Sequence, residues 1–254
     1  MCATCGCGDA AGVRIAVPHD HDHDHPHPHP HEHAQRPARP AETITIEQRV
    51  LAKNDQLAER NRFRLAERGI LAVNLMSSPG AGKTTLLERT IRDTAAARPI
   101  TVIEGDQETL LDADRIRRTG CSVVQVNTGA GCHLDAAMTH DALDRLDPPE
   151  GSVVFIENVG NLVCPALFDL GEGGKVVIIS VTEGTDKPLK YPYMFAVADL
   201  VVVNKTDLLP YVDFDLAACG RHIAAINRHA EVVALSATTG DNLSSWYDWL
   251  ADRS

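Results

Sequence analysis

Ser77-Ser78-Pro79-Gly80-Ala81-Gly82-Lys83-Thr84-Thr85 decides how the rest of the chain is read. An apolar run, Ile70 to Met76, leads into it and reads as a buried strand; a helical pattern, Thr85 to Ala97, follows. Strand, glycine turn and helix in that order make a phosphate cradle. Tight turns at Gly80 and Gly82 let backbone N–H groups close on phosphate oxygens, and the helix N-terminus adds its positive end. Lys83 reaches the outer phosphates, and the Thr84 hydroxyl can hold Mg²⁺. Gly80, Ala81, Gly82, Lys83, Thr84 and Thr85 are thus the expected contacts of a nucleoside triphosphate. The P-loop pattern G-x-x-x-x-G-K-[ST] asks for glycine where Ser77 stands; its other positions are filled.

Outward from this loop, strands and helices alternate. Strands are expected at 70–76, 100–104, 122–126, 153–157, 176–181, 200–203 and 232–235, and helices at 85–97, 108–119, 134–146, 189–197, 215–229 and 242–251. Alternation with several almost wholly apolar strands predicts an α/β fold: a mostly parallel seven-stranded sheet covered by helices on both faces, as residues 69–254. Before it, Ile46, Val50, Leu57 and Leu65 among charges suggest an amphipathic helical linker over 41–68, with a break near Asn54-Asp55. Residues 1–40 offer almost nothing apolar to bury and read as a disordered tail rich in Cys and His.

The 254 residues are 44% apolar with a net charge of -11, which argues against nucleic acid or an anionic membrane as partner. No apolar run is long enough to span a bilayer, and the N-terminus lacks the regions of a signal peptide, so a cytoplasmic location is expected. Seven cysteines, three within the first seven residues, suit metal ligation better than a disulfide framework.

Ligands of such a sheet gather beyond the carboxyl ends of the strands. After the sixth strand stands Asn204-Lys205-Thr206-Asp207, an N-K-x-D element. The Asp207 carboxylate can accept both N1–H and the N2 amine of guanine, which adenine cannot offer, so GTP is the expected nucleotide. Ser236-Ala237, after the next strand, fits the element whose backbone N–H meets guanine O6. Asp106 and Glu157, at the ends of the second and fourth strands, join Thr84 as expected Mg²⁺ ligands, with Asp106 and Lys83 assigned to catalysis. Gly160 is assigned to sensing the γ-phosphate. No glutamine stands where it would clearly orient water, Gln107 being only a guess, and slow hydrolysis is expected.

Three groups can bind metal. Cys2, Cys5 and Cys7 can chelate one ion without any fold. With the α-amine of Cys2 freed by loss of Met1, an N/S₃ set could become square planar, favouring Ni²⁺ over Zn²⁺; half a zinc site or a redox pair is the alternative. His19, His21, His23, His25, His27, His29, His31 and His33 can hold divalent ions weakly and reversibly, a storage tract. Cys132 and His133 follow the Thr128–Gly131 loop, and Cys164 lies four residues beyond Gly160. They suit Zn²⁺ or Ni²⁺, provided the loop conformation persists at 132–133, since neighbours on a helix point apart. Because Cys164 sits just beyond the γ-phosphate sensor, metal affinity would be coupled to nucleotide state.

Together C-x-x-C-G-C, the His-rich insert, S-S-P-G-A-G-K-T-T, I-E-G-D-Q, G-C-H-L-D, E-N-V-G-N-L-V-C-P, E-G-T-D-K-P-L-K-Y-P and N-K-T-D-L resemble the HypB family, GTPases that help insert nickel into [NiFe]-hydrogenase. The resemblance spans nearly the whole chain, and serine at position 77 is typical of it. It implies a SIMIBI-class P-loop fold, a homodimer formed with GTP, nickel at Cys2, Cys5 and Cys7, and a zinc or nickel site at Cys132, His133 and Cys164 near the dimer interface. It also implies the metallochaperone HypA and the hydrogenase large subunit precursor as partners, and brings Lys187 toward the nucleotide site. Rival readings are a urease-maturation GTPase and a nickel-storage protein without significant GTPase activity.

Overall fold

The structure, a computed structural model, describes residues 40–106, 111–129 and 131–253. The expected ligands Cys2, Cys5 and Cys7, the histidines from His19 to His33, and Gln107 lie outside the described residues. Val50–Ser254 form one compact unit; the described residues before Val50 belong to the other.

Seven strands, β1 Leu71–Ser77, β2 Ile100–Asp106, β3 Ser122–Asn127, β4 Val153–Glu157, β5 Gly174–Ser180, β6 Leu200–Asn204 and β7 Glu231–Ala234, form one parallel sheet in the order β3-β2-β4-β1-β5-β6-β7. The side-chain period of two sends Val73 and Leu75 to a core shared with Leu86, Trp246 and Trp249, and Ala72 to the opposite core with Leu65 and Leu143. A third cluster packs Met194, Phe195 and Ile223 against β5 and β6. Burial on both faces explains why β4 and β6 read as nearly continuous apolar runs, and β1 as one broken only by Asn74, which is buried and donates to Glu172.

Among the described residues the α-helices are α1 Pro40–Glu67, α2 Lys83–Thr94, α3 Leu111–Arg117, α4 Ala136–Leu146, α5 Lys187–Lys190, α6 Pro192–Ala196, α7 Leu216–Ile226 and α8 Leu243–Asp252, and those from Val50 onward flank the sheet. Three departures from expectation have local causes. Helix α1 runs unbroken through Asn54-Asp55, because Asn54 is buried and hydrogen-bonded rather than forming a turn. Its buried face is Asn54, Ala58, Asn61 and Leu65, while Val50, expected on the apolar stripe, is 53% exposed. The single helix expected over 189–197 is two short ones, since Pro192 restarts the chain as the first residue of α6. Helix α4 begins at Ala136 rather than Leu134, with Asp135 as N-cap accepting from the Met138 N–H.

Candidate functional site

The loops after β1, β2, β4 and β6 meet at one end of the sheet. Ser77, at the position where the pattern asks for glycine, is buried, and its hydroxyl accepts a 2.9 Å bond from Lys83 Nζ while donating to the Ser78 carbonyl. Gly82 takes φ 98°, and a Cβ there would come within 2.5 Å of Asn204 Nδ2, so both conformation and space require glycine. Beside this loop opens a cavity of about 490 Å³ lined by Gly80, Gly82, Lys83, Thr84, Thr85, Asp106, Glu157, Gly160 and Lys205. Asp112 and Arg115 of α3 also line it; neither was singled out from sequence. Arg115 binds Thr85 Oγ1 at 3.2 Å and Glu88 at 2.7 Å, tying α3 to the start of α2. Their only sequence signal was charge on a short helix.

The cavity floor is acidic. Glu157 accepts a 2.6 Å bond from the Thr84 hydroxyl, and on the neighbouring strand it pairs in register with Glu104. Both carboxyls are buried, and each leaves one oxygen, Oε2, without a hydrogen-bond partner. Burial raises Glu157, and burial followed by the charge of Glu157 pushes Glu104 up to about 8. The orphaned Glu157 oxygen beside the Thr84 hydroxyl, with Asp106 lining the same cavity, makes a donor set that fits Mg²⁺.

The raised Glu104 carboxyl makes a prediction for the nucleotide- and metal-free protein. Unfolded, it releases its proton near the ordinary 4.5; folded, only near 8. Between these values the native chain holds more protons than the unfolded one, so stability falls as pH rises through that window. Glu104→Gln removes this residue's share of the dependence, while the raised Glu157 keeps its own. Its melting temperature should match wild type at pH 5 and exceed it by roughly 5 °C or more at pH 8.5; a gap that does not widen with pH contradicts a neutral buried carboxyl.

At the far end of the loop, Asn204 acts as a tie. Its Nδ2 donates to the Ala81 carbonyl at 3.0 Å, and its Oδ1 accepts from the N–H groups of Lys205 and Ala237. Lys205, at φ 64°, reaches back to the Gly80 carbonyl. Asp207 Oδ1 accepts a 2.6 Å bond from Ser236 Oγ, joining the two elements expected to read the base. Lys187 does not line the cavity; it pairs with Glu183 at 3.2 Å, and Glu183 in turn meets Ser78 of the loop.

The third metal group does converge. Because α4 starts only at Ala136, Cys132 and His133 sit on irregular backbone and both face Cys164, which opens a 3₁₀ turn over Cys164–Leu167. Ligand atoms of the three lie within 4.8 Å of one another, with Cys132 Sγ 2.8 Å from Cys164 Sγ and 3.7 Å from His133 Nδ1. Burial lowers the His133 pKa, which favours the neutral imidazole that ligates metal. Phe168 stacks on the His133 ring at 3.9 Å, and Asn161 Nδ2 donates to the Cys132 carbonyl. Neither residue was foreseen. Two thiols and an imidazole at this spacing suit Zn²⁺ or Ni²⁺.

Fold and loop together define a P-loop nucleotide-binding domain with a Cys-His-Cys cluster beside it. Residues 71–234 match the CobW/HypB/UreG nucleotide-binding domain family. The chain is 56% identical over 207 residues to hydrogenase maturation factor HypB of Azotobacter vinelandii, covering 82% of this chain and 68% of that protein. It is 55% identical to HypB of Escherichia coli K12, covering 82% and 71%. Among solved structures, HypB of Helicobacter pylori in complex with nickel superposes with TM-score 0.75 at 38% identity, covering 79% of this chain and 94% of that one. HypB of Archaeoglobus fulgidus gives 0.74 at 41%, covering 80% and 98%. The chain therefore belongs to the CobW/HypB/UreG family, with HypB hydrogenase maturation factors as its relatives.

Proposed function

We propose that the chain is a GTP-hydrolysing nickel metallochaperone that delivers nickel during [NiFe]-hydrogenase maturation. The observation carrying this reading is that one segment, Glu157 to Cys164, begins in the phosphate cavity and ends in the Cys-His-Cys cluster. Glu157 and Gly160 line the cavity, and Cys164 belongs to the cluster four residues later. A change at the γ-phosphate of GTP is thus transmitted over a few residues to the metal ligands.

In this reading Gly80 to Thr85 hold the phosphates, Lys83 leaves Ser77 for the β- and γ-oxygens, and Gly160 offers its N–H to the γ-phosphate. Asp207, Ser236 and Ala237 receive guanine; Asn204 and Lys205 brace them against the loop. Thr84, Asp106 and Glu157 would hold Mg²⁺, which when bound neutralises charge developing on the phosphate oxygens. Hydrolysis is slow in this reading, no glutamine being among the described residues that line the cavity. Cys132, His133 and Cys164 take nickel or zinc, Cys2, Cys5 and Cys7 take nickel, and the His tract stores it.

Among the described residues no helix is long and apolar enough to cross a membrane; the reading places the protein in the cytoplasm, as a homodimer working with HypA and the hydrogenase large subunit precursor. The relatives at 55–56% identity are named for hydrogenase alone, whereas that of Helicobacter hepaticus, at 38%, is named a hydrogenase/urease maturation factor. The more similar set makes hydrogenase the proposed recipient. The test is nickel affinity at the Cys132 cluster measured with GDP and with a non-hydrolysable GTP analogue. An affinity ratio of roughly 5 to 150 is expected from a coupling of this kind; equal affinities sink it.

A further inference from the structure

Helix α1 carries two asparagines two turns apart, Asn54 and Asn61, both buried, at positions where an apolar side chain would be the usual choice. A buried carboxamide is costly unless its groups are paired, and here they are. Asn54 Nδ2 donates to the Asp169 carbonyl at 2.8 Å, and its Oδ1 accepts from the Ala136 N–H at 2.9 Å. Asn61 Nδ2 donates to the carbonyls of Ala136 at 2.9 Å and Leu170 at 3.0 Å, and its Oδ1 pairs with His140 Nδ1 at 2.9 Å.

Each asparagine thus bridges the same two segments. Ala136 is the first residue of α4, three residues after His133. Asp169 and Leu170 follow Phe168, whose ring stacks on His133, in the stretch that leaves Cys164. The Ala136 N–H belongs to the first turn of α4 and has no partner within that helix; Asn54 supplies one. Close packing holds the helix in place: a Cβ on Gly171, at φ 89°, would sit 2.5 Å from the Ala58 carbonyl, and Arg62 pairs with Asp169.

We propose that Asn54 and Asn61 are positioning residues of the Cys132–His133–Cys164 site, fixing the spacing between the loop bearing Cys132 and His133 and the loop bearing Cys164. This rests on the metal-site reading above and deepens it. Helix α1 from Val50 onward is then part of the site rather than a linker, and the segment joining the cysteine- and histidine-rich tail to the domain is the one that sets the geometry of the second metal centre. Outer partners that hold ligands in place commonly contribute about 10- to 100-fold to metal affinity.

The test uses the full-length chain carrying Cys2→Ser, Cys5→Ser and Cys7→Ser, so that the thiolate-to-nickel absorption reports on Cys132 and Cys164. Asn54→Ala and Asn61→Ala should each weaken nickel binding by about tenfold or more, and in the metal-free protein both cluster thiols should react faster with a disulfide reagent. Leu250→Ala, in the core on the other face of the sheet, controls for general loss of stability; its nickel affinity and thiol rates should stay near those of the parent. Unchanged affinity and thiol rates in both asparagine variants, or the same losses in Leu250→Ala at equal melting temperature, overturn the proposal. Should the parent show no band that Cys164→Ser removes, the metal reading falls, and the thiol rates alone decide: faster reaction supports the clamp and unchanged rates overturn it.

Discussion

Lys83→Ala lowers single-turnover GTP hydrolysis by about 10²- to 10³-fold, the usual loss when one donor to developing transition-state charge is removed. Lys83 Nζ is bonded to Ser77 Oγ within the loop, and its charge opposes the burial that raises both Glu104 and Glu157. Its loss therefore removes the ammonium proposed to meet the outer phosphates and leaves the two buried carboxyls less compensated. The parent rate itself should be slow, on the order of 10⁻⁴ to 10⁻² s⁻¹ as for unassisted GTPases, so the variant must be followed with excess protein over long times. Nickel held by Cys2, Cys5, Cys7 and the His tract should be unaffected, since Lys83 lies outside the tail. A Lys83→Ala protein that turns over GTP within about threefold of wild type removes catalysis from this loop and leaves the storage reading standing.

What sequence made legible follows from which signals are local. Strands buried on both faces, β4 and β6 among them, read as apolar runs, so the interior of the sheet and its loops were in view, and with them Asp106, Glu157 and Asn204 to Asp207 at strand ends and Lys83 at the start of α2. Strand order, by contrast, is set by long-range pairing; nothing near residue 104 announces that Glu104 lies opposite Glu157. Its burial, and hence its retained proton, became visible only with the sheet assembled. Leu134 misled for a related reason. An apolar residue beside a helical pattern reads as helix, yet it is a loop anchor packed so closely on Gly105 that a Cβ there would come within 2.7 Å of its Cγ. That anchor keeps Cys132 and His133 off α4.

The buried face of α1 shows the same limit from the other side. Hydrophobic periodicity finds Leu65, but passes over Asn54 and Asn61, because a polar residue is assumed to face water. Only the tertiary partners, Ala136, Asp169 and Leu170, make burial of two carboxamides tolerable. Polar residues that repeat at the helical period are for this reason a sign worth testing against structure, since a helix face can be selected to grip backbone rather than to repel water.

Asp207→Asn weakens GTP binding by roughly 10²- to 10⁴-fold and transfers the preference to xanthosine triphosphate. The carboxylate has four acceptor positions; one is taken by Ser236 Oγ–H, leaving room for guanine N1–H and the N2 amine. Asparagine keeps Oδ1, which can still accept from Ser236 and from N1–H, but sets Nδ2 against the N2 amine, donor facing donor. Xanthine carries a carbonyl at that carbon, so Nδ2 finds an acceptor and the pair is restored. The phosphate loop is untouched by the exchange, because the Ala81 carbonyl and the Lys205 and Ala237 N–H groups are held by Asn204 rather than by Asp207. The triphosphate that regains affinity should therefore also regain hydrolysis near the wild-type rate. Competition of GTP and xanthosine triphosphate against a fluorescent nucleotide measures the switch. A variant that still prefers GTP means that the base is read somewhere other than Asp207.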